Sequence, residues 1–377
     1  MQTLIQRLKK IPKKYVLETF ITLGGLIVLA VIVSLITPTS TKTEYAFYEQ
    51  DTSQSPTLFR AEVTTINKTS IDVRLKDGPK NGSIVEVPFK NPDQKAGLRT
   101  GTTVIISEYE QKEDLLFYDI YRLHFLIIAV GIFIAVVLLI GRRRGLMSLA
   151  GLGASILVIG WIIVPLVVAG YNSLLVSVFG AYLIAIVSII IAHGFKIRTF
   201  ISLLCVLIIL VFVTIGSQLA IYLLGLSGII DEAGYFLKID HPEIDLSGIL
   251  VGGIVIAALG ALDDIVTTQV ATVDELKKTK PSLTVAELYK KAFSVGSEHI
   301  AALVNTLALV YVGAALPLIV LYAVSTPELF KLFNSEFVAT EIIRTVLVSL
   351  GLVIAVPVST YISAVLIHRN HEKKINN

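Results

Sequence analysis

Residues 246–269 read LSGILVGGIVIAALGALDDIVTTQ, an uncharged stretch interrupted only by Asp263 and Asp264 before the apolar pattern resumes at Ile265, Val266 and Val270. As a helix rising 1.5 Å per residue, about twenty such residues cross the roughly 30 Å of bilayer hydrocarbon. Runs of this length recur at 15–36, 123–140, 146–168, 173–192, 200–224, 300–322 and 342–367, which with 247–269 makes eight candidate spans. The whole chain is 54% hydrophobic and 16% charged, with mean hydropathy +0.77. Soluble domains devote about a quarter of their residues to charge, so a soluble enzyme is excluded. An outer-membrane barrel is also excluded, because its roughly ten-residue alternating strands do not recur.

The expected fold is therefore mainly α: a polytopic transmembrane helix bundle of about eight spans, with a small extracytoplasmic β-barrel-like domain between spans 1 and 2. Residues 1–37 would form a cytoplasmic N-terminus and span 1, 38–121 the β domain, 122–368 a seven-span helical membrane domain, and 369–377 a cytoplasmic tail. Span 1 reads as an uncleaved signal anchor, since its apolar stretch is too long for a signal peptide and its exit lacks a small-x-small cleavage site. Lys and Arg are retained on the cytoplasmic side. They cluster at Arg7 to Lys14, Arg142 to Arg144, Lys196 and Arg198, Lys277 to Lys291, and Arg369 to Lys374. Both termini are then cytoplasmic, and the segment between the first two spans faces outward. The net charge of +3 reflects this asymmetry and gives no reason to propose nucleic acid as a partner. The lone Cys205 lies in span 5 and says nothing about compartment.

Between spans 1 and 2 the period changes to two. Ile71, Val73 and Leu75 alternate with Asp72, Arg74 and Lys76, and Val85, Val87 and Phe89 with Glu86 and Pro88. Together with a strand over 100–109 and the turn around Gly78 and Gly82, this predicts a small antiparallel barrel of about five strands. It carries no His or Cys cluster and no phosphate loop, so docking or gating is its expected role.

On a helical projection of span 6, Gly253, Ala257, Gly260, Asp264 and Thr267 share one stripe at the spacing that lets helices in lipid approach closely. This predicts that Asp264 points into protein, with Asp263 about 100° round the helix. Span 7 carries Glu298 and Asn305 on one stripe, with His299 and Thr306 beside it. The expected topology puts Glu298 and His299 at the depth of the aspartates, so two polar stripes would meet. Ionisable residues within spans usually line ion or proton paths or pair with one another. The competing reading ends span 6 in water at the aspartates, lets Glu298 sit at a favourable helix start, and uses Asn305 and Thr306 as interhelical hydrogen-bond partners. Two Asp, one Glu and one His suit a divalent cation or a proton relay, but no spacing identifies a metal, and no cofactor is implied.

Thr284 and Glu287 form a capping box with a Leu283/Leu288 staple, predicting a short helix on the inner membrane surface before span 7. Pro165, Pro317 and Pro357 are candidate kinks. No Walker, GxGxxG or HExxH pattern occurs, and no nucleophile–base pair can be assigned, so the protein is expected not to be an enzyme.

At these residues the sequence resembles the YibE/F family of bacterial membrane proteins. The likeness rests on GALDDIVTTQ at 260–269, GSEHIAALVNTLALVYVGAALP at 296–317 and GRRRGL at 141–146, and covers most of 123–367. The resemblance leads to an expectation of Arg-Asp where Ser297-Glu298 stands, a departure that removes one candidate ion-pair partner. The resemblance implies a permease-like protein. The expected function is a permease, transporter or channel for an ion or small polar solute. Asp264 would be the central carboxylate, Asp263, Glu298 and His299 would help bind the cation or proton, and Thr267, Thr268, Gln269, Asn305 and Thr306 would line the path. The alternative is a non-transporting assembly or envelope-complex component whose outer domain recruits a partner. Expected partners are membrane lipid, the transported solute, and a second copy or an envelope protein.

Overall fold

The computed structural model describes residues 57–78, 80–89, 97–109, 112–325 and 329–375. Span 1 and the N-terminal segment lie outside these residues. The chain divides at Arg142 into two compact units.

Among its described residues the first unit has five strands: β1 (Thr57–Ile66), β2 (Ser70–Leu75), β3 (Ile84–Pro88), β4 (Thr103–Tyr109) and β5 (Lys112–Ile120). All neighbours are antiparallel, in the order β3-β2-β1-β4-β5. The alternation works as predicted, since Ile71, Val73 and Leu75 are buried with Ala61, Val63, Val104 and Ile106. Irregularities in β1 and against β5 bend the sheet. The edge strands β3 and β5 approach each other without a ladder, so the sheet is curled rather than closed. The Arg60 guanidinium grips Asp77 through two side-chain bonds, of 2.6 and 3.0 Å. These hydrogen bonds hold the Asp77 carboxyl below the usual carboxylate range. Gly78 has φ +86°, and a Cβ there would collide with the Phe59 ring.

The helical run α1 (Leu123–Val158) is two helices merged, because Arg142 leaves helical geometry at φ 49°, ψ −124°. The sequence reading places a short loop here; the joint is a single residue. Residues 123–141 bury almost nothing, exposing Phe125, Ile127, Ile128 and Phe133. Such a helix belongs in lipid, since in water it would expose a contiguous apolar surface.

Beyond Arg142, α1 continues into a π-helical turn, Ile159–Ile163, then α2 (Val164–Val168), α3 (Ser173–His193), α4 (Ile197–Leu224), α5 (Glu232–Asp240), α6 (Leu246–Thr279), α7 (Val285–Ala314), α8 (Leu316–Ser325), α9 (Leu329–Phe333) and α10 (Glu336–Ile375). Among the described residues six helical stretches are long and apolar enough to cross a membrane, the first being the 46-residue Leu123–Val168 with its break. The protein is a helical membrane protein, and α4 turns Leu204, Ile208, Val211, Ile215 and Leu219 outward as a lipid-facing stripe.

The three prolines act differently. Pro165 follows the π turn, the kind of local adjustment that re-satisfies backbone groups freed by a proline in a membrane helix. Pro317 stands at the start of α8 and divides the expected span 300–322 in two. Pro357 stays inside α10. The capping box at Thr284 and Glu287 forms as predicted. The short surface helix does not end, however, and runs unbroken to Ala314. Its buried Leu288, Ala292 and Gly296 pack it in place.

Helix α6 is the hub, packing against α3, α4, α7 and α10. Gly248 lies against Leu174, and Gly252 against Ser177, so α3 and α6 run parallel. Gln269 meets Thr360 and Lys277 meets His368, both 91 residues apart, so α6 and α10 are parallel as well. Gly216 faces Leu347 and Gly351 faces Val213, which makes α4 antiparallel to α10.

Candidate functional site

Helix α6 does not end at its aspartates. It continues to Thr279, so Asp263 and Asp264 sit mid-helix, away from the unfavourable C-terminal dipole. Which aspartate faces inward is the reverse of the expectation. Asp264 is exposed, while Asp263 is partly buried and its Oδ1 has almost no accessible surface and, among the described residues, no hydrogen-bond partner. The cause is the choice of packing face. Gly248 and Gly252 are the glycines pressed against α3, whereas a Cβ on Gly253 or Gly260 would meet nothing within 4 Å. The stripe is therefore open at Gly253, Gly260 and Asp264, with Ala257 half-buried between them.

Opposite Asp263 stands His193, the last residue of α3, its Nε2 3.8 Å from Asp263 Oδ1. That is beyond hydrogen-bond length and within reach of an ion pair when the imidazole is protonated. His193 was not singled out in the sequence. Its signal is that it ends an apolar span at the end where Lys196 and Arg198 cluster.

The Thr267 hydroxyl donates to Asp263 O at 2.7 Å and the Thr306 hydroxyl to Ala302 O at 2.8 Å, so each is satisfied by its own helix. Thr268, Glu298, His299, Asn305 and Thr306 are exposed, and among the described residues no ion pair or hydrogen bond joins Glu298 or His299 to the aspartates. The two polar stripes do not meet. Among the described residues no group of three or more His, Cys, Asp or Glu side chains is placed to hold a metal ion.

Gln269 is different. It is 2% exposed and donates from Nε2 to Ala292 O at 2.7 Å and to Thr360 Oγ1 at 2.8 Å, tying α6 to α7 and α10. Gly296 makes room, since a Cβ there would lie 2.7 Å from Gln269 Oε1 and 2.6 Å from Val356 Cγ1. Thr360 belongs to a buried hydroxyl cluster with Ser359 and Ser363 just after Pro357, a polar run inside an apolar span whose signal in the sequence is that interruption itself.

Two turns further along α6, Lys277 is 3% exposed. Its Nζ meets Pro281 O at 2.7 Å, Leu283 O at 2.9 Å and His368 Nδ1 at 2.9 Å. Three acceptors serve three N–H donors. His368 Nδ1 must therefore accept, leaving Nε2–H for Glu372 Oε1 at 3.1 Å. Lys277 locks the α6–α7 turn to α10.

The family model described as YibE/F-like protein matches residues 129–369. The chain belongs to the YibE/F family. Asp263, His193, Gln269 and Lys277 all lie within the matched YibE/F region, and the β-sheet lies outside it. No curated protein and no solved structure matches the chain.

Proposed function

We propose that this YibE/F protein is a permease or channel-like protein of the bacterial cytoplasmic membrane, not an enzyme, and that it moves a proton or small cation past Asp263. The observation that carries this reading is the unpartnered, buried Oδ1 of Asp263 in an apolar helix, 3.8 Å from His193. A carboxylate oxygen buried without a hydrogen bond is costly in such a place, and intramembrane carboxylates are typically retained where a proton or ion visits. Asp264, one position on and exposed, supplies a second carboxylate at the mouth of the site. The open polar faces of α6 and α7, with Thr268, Glu298, His299, Asn305 and Thr306, then border water or a small polar solute rather than acyl chains.

We place both termini in the cytoplasm and the sheet outside it, with eight crossings in all. The parallel run of α3, α6 and α10 supports this, as does the meeting of Lys196, Arg198, Lys277 and Lys278 around one cavity at a single end.

The test uses the purified full chain in liposomes loaded with a pH-reporting dye, under an imposed potential. Wild type should move protons, Asp263→Asn should lose that flux, and Asp264→Asn should retain part of it. Wild-type flux in Asp263→Asn, with the protein folded, would overturn the reading. A second reading, an assembly component, is favoured by the open stripe at Gly253 and Gly260. It predicts that Gly260→Leu changes the oligomeric state while leaving the folded monomer intact.

A further inference from the structure

A cavity of about 480 Å³ opens where the start of α4, the end of α6 and the end of α10 converge. Its wall carries Lys196, Arg198, Lys277, Lys278 and His371, against the single carboxylate Asp274. Not all of these cations are equally available. Lys277 spends its donors on Pro281, Leu283 and His368. Lys278 is held by Asp274 at 2.6 Å. Among the described residues Lys196 and Arg198 have no carboxylate partner.

The backbone adds to the same side. Lys196 is the N-cap of the 28-residue helix α4 and makes no side-chain cap, while Ile197 and Arg198, which line the cavity, carry the first orphan N–H groups. A helix start of this kind favours an anion. In the same turn the Thr199 hydroxyl, on a residue 2% exposed, has no hydrogen-bond partner. Among the described residues the cavity therefore combines a guanidinium fork and an ammonium without carboxylate partners, uncapped amides and excess positive charge.

We propose that this cavity is a binding site for a phosphate-bearing anion. Arg198 presents the planar fork that matches phosphate oxygens, and Lys196 acts as a point charge beside it. The volume falls within the range of roughly 300–1,000 Å³ typical of small-ligand sites, so it suits a phosphate with an attached polar group as well as the bare ion. The same chemistry is offered by an anionic lipid headgroup, for which basic pockets between membrane helices are suited, and by soluble phosphate. The site is independent of Asp263 and holds whether or not the protein transports protons.

Two probes distinguish the sources. Radiolabelled orthophosphate is dialysed against the full chain in nanodiscs of neutral phosphatidylcholine, and retained phosphatidylglycerol is measured by native mass spectrometry after release from mixed nanodiscs. Saturable binding in the first arm identifies soluble phosphate, and selective retention in the second identifies a lipid headgroup. Either result supports the site, provided Arg198→Gln weakens binding about tenfold or more, the loss expected for a charged hydrogen bond. Arg198→Lys should recover part of the affinity, and Lys291→Gln, on α7, should leave it unchanged. No retention of either probe above the neutral-lipid background overturns the proposal. Wild-type binding in the double variant Lys196→Gln/Arg198→Gln overturns it as well.

Discussion

Replacing Gln269 with leucine removes its two hydrogen bonds, to Ala292 O and Thr360 Oγ1, while keeping most of the side-chain volume. Neither acceptor is orphaned, because the Thr360 hydroxyl still donates to Val356 O and Ala292 lies within the hydrogen-bonded ladder of α7. The loss is then the net worth of two bonds. Hydrogen bonds contribute about 0.5–1.5 kcal/mol each in soluble proteins and about 0.6 kcal/mol between membrane helices, so Gln269→Leu should cost about 1–2 kcal/mol. Gln269→Ala breaks the same bonds and also leaves a void at a site 2% exposed, for which about 2–5 kcal/mol is expected. Unfolding in mixed micelles of increasing SDS fraction, followed by far-ultraviolet circular dichroism and by fluorescence of the single Trp161, gives the order wild type, Gln269→Leu, Gln269→Ala. If Gln269→Leu matches wild type, the three-helix tie contributes nothing; if the alanine variant is as stable as the leucine variant, truncation leaves no void at this site. If Gln269→Leu keeps wild-type stability and loses proton flux, Gln269 is a solute ligand rather than a tie.

Gly296→Ala should cost about 1–3 kcal/mol in the same unfolding assay, the usual penalty of overpacking, since the new methyl meets both Val356 and the Gln269 amide. Lys277→Met should loosen the α6–α7 turn by about 1.5–3 kcal/mol, the worth of a charged hydrogen bond, seen as faster proteolysis between 279 and 285; an unchanged cleavage rate would contradict the locking role. In the sheet, Asp77 titrates below the ordinary carboxylate range because Arg60 bonds its charged form. The stabilisation is therefore present at neutral pH and lost as pH falls through the depressed folded value. A carboxyl-carbon NMR titration should show the Asp77 midpoint rising in Arg60→Gln, and an unmoved midpoint would refute the coupling. Gly78→Ala should raise amide exchange across β1 and β2, because the position combines φ +86° with a collision against Phe59.

The class of this protein was legible from local pattern alone. Uninterrupted apolar length decides that helices cross a bilayer, period two decides that Ile71, Val73 and Leu75 form one face of a sheet, and a Thr-x-x-Glu spacing decides where α7 begins. Each depends on residues within a few positions of one another. Pro317 is a partial case: it shows that a break is available there, but identical chemistry at Pro357 leaves α10 continuous. Facing is a different matter. Gly248 and Gly252 permit close approach on one side of α6, and Gly253, Ala257 and Gly260 permit it on another. A small residue only allows contact and does not select a partner, so the stripe reasoning that pointed Asp264 inward had no means of choosing between the two sides. That choice was made by α3 docking on the Gly248–Gly252 side, which turned Asp263 toward His193, 70 positions away, and left Asp264 open. The meetings of Gln269 with Thr360 and of Lys277 with His368 were settled in the same way, by helices far apart in sequence whose packing no local periodicity encodes.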